Sequence, residues 1–286
     1  MTGAVLIAGA GGMLGTSLRK VCIEAGVAFS APGEDTFDIT EPAGVERSVR
    51  AFAREHPDGL LVNAAAYTDV ERAENDPERA YAVNDAGARL LAAEALRAGL
   101  RFAHVSTDFV FDGTKQGPYT EEDEPNPLSV YGRSKLLGER AVLEAYPGAL
   151  IVRTAWAFGE GGVNFPVKIL QRARTVRTID VVCDECGSPT YTRDLAAGIL
   201  ALVDAGARGL FHLVGSGSCT RDELAREVLR LAGREDVEVV PVPSATFPSN
   251  AARPANSVLD CSKALSLGVV MPEWHDALAR FVATLS

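Results

Sequence analysis

The stretch "AVLIAGAGGMLGTSLRKVCIEAG" at residues 4–26 constrains this chain more than any other. An apolar run ends in glycines, and a helical pattern then continues until Gly26 stops it. The rhythm repeats: "LLVNAAAY" (60–67), "RFAHVSTDFVF" (101–111) and "ALIVRTAWAF" (149–158) are apolar strand patterns with helical patterns between them. Strands separated by helices of this length imply right-handed crossovers and a parallel sheet. Helices on both faces of such a sheet explain strands that are apolar throughout.

The expected fold class is therefore α/β, a Rossmann-type doubly wound parallel sheet with a smaller, loop-rich C-terminal substrate-binding portion. Past residue 156 prolines and polar loops interrupt the rhythm, as in "DECGSPTYTRD" and "PVPSATFPSNAARPANS". Two features stay legible there. Thr220 and Glu223 in "TRDE" make a capping box ahead of "LAREVLRLAG". "GLFHLVGSG" (209–217) reads as a strand ending in a turn. Residues 1–156 are read as the NAD(P)-binding domain and 157–286 as mainly substrate-binding, with segments near 178–200 and 209–217 returning to the main sheet.

Charge and cysteine content exclude several classes. A net charge of −10 and a pI near 5.0 argue against nucleic-acid or anionic-membrane surfaces. No apolar run approaches the ~20 residues of a membrane span, and the first residues lack the basic region of a signal peptide. Five cysteines, an odd number, fit reduced thiols in a cytoplasmic protein. Cys183 and Cys186 have motif-like spacing, but Cys22, Cys219 and Cys261 supply no second pair, so no zinc site is expected. The four histidines are scattered and read as structural.

Gly9, Gly12 and Gly15 lie three apart between the first strand and first helix. Such glycines permit a tight turn and let backbone approach a pyrophosphate, which then sits at the helix N-terminus. The acidic residue that would hold the NAD ribose at the end of the second strand is missing at Ala31 and Pro32; Glu34, Asp35 and Asp38 follow. NADPH or NADH is expected, with a lean to NADPH because no carboxylate is well placed to repel a 2′-phosphate.

In "SVYGRSKLLGE" (129–139), Tyr131 and Lys135 stand at i and i+4 and share a helix face. About one chance Y-x-x-x-K is expected in ten such sequences, so position decides. The pair follows a strand ending in "VSTD", where the carboxyl ends of parallel strands form the ligand crevice. Hydride addition to a ketone leaves an alkoxide that needs a proton donor. A lysine ammonium beside a tyrosine favours phenolate and tunes the pair. Ser106 or Thr107 could donate to the substrate oxygen. Ser129 is placed as N-cap, and Gly132 and Ser134 are read as leaving room for ligands beside Tyr131.

Glycine loop, "NAAAYT", "VSTDFVFDG" and "YGRSK" in this order resemble the extended short-chain dehydrogenase/reductases. Within them, "FDITEP", "AENDPERAYAVN", "RTAWAFG", "NFP", "GSPTYTRDLA", "FHLVGSG" and "ARPANSVLD" make the chain similar to the dTDP-4-dehydrorhamnose reductase family over nearly its whole length. The resemblance implies NAD(P)H-dependent reduction of the 4-keto group of dTDP-4-dehydro-L-rhamnose, with Tyr131 as proton donor and Lys135 as its partner and ribose contact. It implies that Thr107 and Asp108 contact the sugar and that Trp156 walls it. Gly12, Met13 and Leu14 would cradle the pyrophosphate, Asp38 and Ile39 would lie near the adenine, and Ala66, Tyr67 and Thr68 would flank the nicotinamide half. Arg253 is assigned to the substrate diphosphate. The dTDP-sugar is the expected partner, and a homodimer is left open.

Departures from that pattern narrow the reading. Ser17 stands where some members carry a glutamate that helps hold Mg²⁺ between two subunits, so no such metal site is expected. Glu185 replaces a glutamine and Cys186 an aromatic in the D-Q-x-G-x-P-T segment, which bears on the exact sugar. Phe109 stands where related 4,6-dehydratases need a glutamate, which argues against dehydration. A 4-epimerase, a 4-ketoreductase for another dTDP-deoxysugar and a non-catalytic regulatory subunit of the same fold are the alternatives.

Overall fold

The computed structural model describes residues 3–285. Its main sheet has six strands: β1 (Val5–Ala8), β2 (Phe29–Ser30), β3 (Leu60–Asn63), β4 (Arg101–Thr107), β5 (Leu150–Thr154) and β6 (Gly209–His212). All pairings are parallel, in the spatial order β2-β1-β3-β4-β5-β6. The common dinucleotide-binding order 3-2-1-4-5-6 has one more strand beyond its second. Here the chain after β2 turns through "FDIT" straight into helix Pro42–Glu55. The order reverses between β1 and β3, which opens a crevice at their carboxyl ends.

Alternation within the buried strands divides the interior in two. Val5, Ile7, Leu60, Val62, Leu150 and Val152 pack with Leu18 and Cys22 of helix Met13–Glu24 and with helix Thr192–Asp204. Leu6, Leu61 and Ile151 face the opposite way, onto helices Pro42–Glu55, Ala88–Arg97 and Val130–Ala145. Helices thus cover both faces, which is why β1, β3 and β5 are buried at every position.

A third core, built from Ile179, Val181, Leu224, Val228, Trp274 and Phe281 among others, holds the C-terminal portion. Strand Thr178–Val182, expected to rejoin the main sheet, pairs in parallel with Glu238–Val242 instead. Its burial alternates, with Thr178 and Asp180 exposed and Ile179 and Val181 buried, the pattern of a strand covered on one face only. The "ALIVRTAWAF" segment also divides: β5 ends at Thr154, and Ala157–Phe158 pairs with Thr190–Tyr191. "RFAHVSTDFVF" likewise ends as a strand at Thr107 and continues as a 3-10 turn, Asp108–Val110. The long helical pattern after residue 77 is interrupted by a π-helical turn, Ala82–Gly87. No helix among the described residues is long and apolar enough to cross a membrane.

Candidate active site

β1 delivers the chain into a turn that only glycine allows. Gly9 has φ +78°, and a Cβ there would stand 2.5 Å from the Ala65 backbone nitrogen. Gly12 is the N-cap of helix Met13–Glu24 and contributes no side-chain cap, so first-turn N–H groups stay available to an anion. Two cavities meet at this turn. One, about 470 Å³, is lined by Gly9, Gly12, Asp38, Ile39, Ala66, Tyr67 and Arg79. The other, about 350 Å³, is lined by Gly12, Met13, Leu14, Ala66, Thr68, Thr107, Asp108, Tyr131, Lys135 and Trp156. They share Gly12, Ala64 and Ala66 and so form one elongated groove. Gly15 lines neither; it is buried beneath the turn, where any Cβ would overlap the Gly9 carbonyl.

Tyr131 and Lys135 come from the first turns of helix Val130–Ala145, capped by Ser129, whose hydroxyl accepts from the Gly132 amide. Gly132 and Ser134 do not make room for a ligand, as the sequence reading had it. A Cβ at 132 would overlap the Phe109 carbonyl, and Ser134 bonds the Tyr131 carbonyl and Asn84. These small residues let the helix press onto protein backbone, and that contact aims Tyr131.

Thr107 Oγ1 donates to Asp108 Oδ1 at 2.9 Å and also hydrogen-bonds Tyr131. Its neighbour Ser106 is committed elsewhere, donating to Glu139 Oε1 at 2.5 Å. Thr107 is therefore the hydroxyl that joins Tyr131 in the cavity. Burial pushes the Tyr131 phenol up to about 12, with the Thr107 bond opposing and the Asp108 charge assisting. The Lys135 ammonium donates to the Val105 carbonyl at 2.6 Å, and burial is the largest influence on Tyr131. Lys135 itself falls to about 8 because it is buried, although Glu139 pulls the other way. Asp108 rises to about 6, also chiefly through burial.

Trp156 has φ +44°, a backbone conformation that is strained for a non-glycine residue and gathers at functional sites. The Arg221 guanidinium lies 3.4 Å over its ring. Sequence reasoning missed Arg221, because "TRDE" carries only a capping signal; the box forms as expected, and Arg221 rides at its first helical position. Arg221 also faces Glu185 at 3.5 Å and lines a third cavity of about 360 Å³ with Lys168, Phe247 and Arg253. Arg253 is there but bound to Glu71 at 2.9 Å. Ser17 is fully buried and hydrogen-bonded to Thr192 at 2.7 Å.

Together, the doubly wound sheet, glycine turn and Thr-Tyr-Lys cluster define a short-chain dehydrogenase/reductase of the extended type. The chain belongs to the family described as RmlD substrate binding domain, whose model matches residues 3–286. It is 43% identical to a dTDP-4-dehydrorhamnose reductase of Mycobacterium tuberculosis, across 98% of this chain and 92% of that one. It is 42% identical to a probable dTDP-4,6-dihydroxy-2-methyloxan-3-one 4-ketoreductase of Streptomyces antibioticus, across 96% and 92%. The fold is similar to a crystal structure of dTDP-4-dehydrorhamnose reductase from Bacillus anthracis in complex with NADP. The TM-score is 0.93 at 33% identity, covering 99% of this chain and 100% of that one.

Proposed function

We propose that this protein reduces the 4-keto group of dTDP-4-dehydro-L-rhamnose to give dTDP-L-rhamnose, with Tyr131 as proton donor. The observation that carries this reading is the meeting of Thr107, Tyr131 and Lys135 in a cavity continuous with the glycine turn. The groove suits a nicotinamide nucleotide. Gly12, Met13 and Leu14 would hold its diphosphate, Asp38 and Ile39 its adenosine, and Ala66, Tyr67 and Thr68 its nicotinamide half. Buried Tyr67 hydroxyl, Thr154 Oγ1 and Asp108 Oδ2 have no protein partner, and all three residues line the groove; polar groups left this way call for a polar ligand. NADPH or NADH supplies the hydride when bound, and NADPH is the donor to test first, since Arg79 offers a cation beside the adenosine end.

The chain's own residues do the rest. Thr107 and Tyr131 orient the ketone oxygen. A phenol raised to about 12 keeps its proton at neutral pH, the form a donor must have when the alkoxide appears. Lys135 then restores the phenol. We assign residues 1–156 to cofactor binding and 157–286 mainly to the substrate. The third cavity supplies the nucleotide end, where Arg221 is better placed for the diphosphate than Arg253, which Glu71 already holds. A second reading, a 4-ketoreductase of another dTDP-deoxysugar, is favoured by Glu185 and Arg221 around Trp156.

Incubation with NADPH and dTDP-4-dehydro-L-rhamnose should consume the reduced cofactor and yield dTDP-L-rhamnose, identified by NMR. Turnover with a different 4-ketosugar alone would select the second reading. No oxidation of NADPH or NADH by any of them would overturn both.

A further inference from the structure

Behind the catalytic cluster, on the side away from the open groove, lies a chain of buried polar groups that the reaction as drawn does not use. Asn63 ends β3 and His104 sits within β4; both are 1% exposed. Neighbouring strands place them in register as partners. Asn63 Oδ1 accepts from the Ala65 amide at 3.1 Å. That bond fixes the orientation of the side-chain amide, because the reverse would set N–H against N–H. Asn63 Nδ2 therefore donates to His104 Nδ1 at 3.0 Å. A ring nitrogen that accepts carries no proton, so neutral His104 must hold its hydrogen on Nε2. Nε2 faces Lys135 Nζ at 3.5 Å.

This N–H meets the two forms of Lys135 differently. Against an ammonium it sets donor to donor. Against a neutral amine it finds a lone pair to receive it, while Nζ still donates to Val105. The imidazole cannot escape by taking up a second proton. Burial and the Lys135 charge hold its titration well below the ordinary histidine range.

We propose that Asn63 and His104 are positioning residues that ready Lys135 to hand its proton to the Tyr131 phenolate. When Tyr131 has given its proton to the substrate alkoxide, an Nζ–H bond of Lys135 breaks and the Tyr131 O–H bond re-forms. The lone pair left on Nζ is the one that His104 Nε2–H is oriented to meet. The proposal rests on the reading of Tyr131 and Lys135 given above. Glu139 and Tyr131 lie on the same helix, and Asp108, Arg153, Asp85 and Glu74 are among the titratable groups on the elements around it. Glu139 acts directly on Lys135 and favours the ammonium. It is itself held by Arg153 at 2.8 and 2.6 Å, which blunts that pull. His104 is the neighbour whose geometry favours the amine.

Two substitutions reverse the contact by different routes. Asn63→Asp offers an acceptor in place of the amide N–H, so His104 should move its proton to Nδ1 and turn an acceptor toward Lys135. His104→Gln can present its carbonyl oxygen instead and adds no charge. The experiment is NMR on the full-length protein without substrate. ¹⁵N-labelled histidine reports the His104 tautomer, and the ¹³Cε signals of the five lysines are followed through pH. Wild-type protein should show His104 protonated on Nε2 and one lysine titrating below the other four. In both variants that lysine should titrate higher by about one pH unit, and the basic limb of the kcat profile should move with it. His104 protonated on Nδ1 in the wild type would overturn the proposal, and that measurement stands even if a variant fails to fold. So would an unmoved lysine in both folded variants. These resonances need no turnover, so failure of the ketoreductase assay leaves this test intact, and the reverse holds.

Discussion

Two sets of buried polar side chains lie side by side along strand β4 and helix Val130–Ala145, and they are finished to different degrees. In one, Ser106 and Arg153 close on Glu139: Ser106 donates to one carboxylate oxygen and Arg153 grips both, with both ionic side chains at 5% exposure or less. In the other, displaced by a single residue on the strand and by one or two turns on the helix, Thr107, Asp108, Tyr131 and Lys135 line the groove, and Asp108 Oδ2 has no protein partner. Adjacent strand residues point to opposite faces, so one step along "ST" moves a hydroxyl from the scaffold to the site. The closed set spends its capacity on protein, and the open set keeps it for a ligand.

Breaking each set should therefore give different signatures. The largest effect is expected from Tyr131→Phe, which removes the proton donor and little volume. It should lower kcat by about 10²–10⁴-fold with cofactor affinity retained, measured by steady-state kinetics and cofactor titration. A near-normal kcat would place the donor elsewhere.

Arg153→Met comes next and strikes the closed set. It strands the Glu139 carboxylate in the interior and should cost about 3–5 kcal/mol, read as a lower urea midpoint. A midpoint close to wild type would mean that the pair is dispensable.

Asp108→Asn should act with the opposite sign. Asp108 titrates at about 6 in the fold against an ordinary 3.8, so between those values the unfolded chain ionises first. Wild-type stability then falls as pH rises through that window, and the deficit is complete above it. The variant should escape this and gain up to about 3 kcal/mol at pH 7 relative to pH 4, measured by urea melts at both. It should lose substrate affinity at the same time. An equal pH slope in both proteins would remove Asp108 from the open set.

The smallest effect is expected from Ser17→Ala, outside both sets. Losing the buried bond to Thr192 should lower stability by about 1 kcal/mol in the same assay and leave kcat unchanged.

The same contrast explains what could be read from residues alone. The glycine turn and the apolar strands carry strong local signals, because a tight turn and two-sided burial each restrict residue type. Tyr131 and Lys135 stood out through helical spacing and through their place after a strand end. Arg221 did not, since its role depends on the Trp156 ring, 65 residues away in sequence. The C-terminal pairings, such as Cys186–Gly187 with Cys219–Thr220, are too short to show any period. Thr178–Val182 does alternate, but alternation reports which face is buried and not which partner covers it. His104 looked structural because its meaning lies in proton placement between two strands.

The two glycines of the catalytic helix carry one more consequence. Gly132 and Gly138 each press against a neighbouring carbonyl, that of Phe109 and that of Asn84. Each also weakens the helix by about 1 kcal/mol relative to alanine. The helix that aims Tyr131 thus draws its order from its contacts with the sheet and the π-helical turn. Tyr131 is aimed by contacts that the helix makes outside itself, and whatever loosens those contacts misaims the phenol as well.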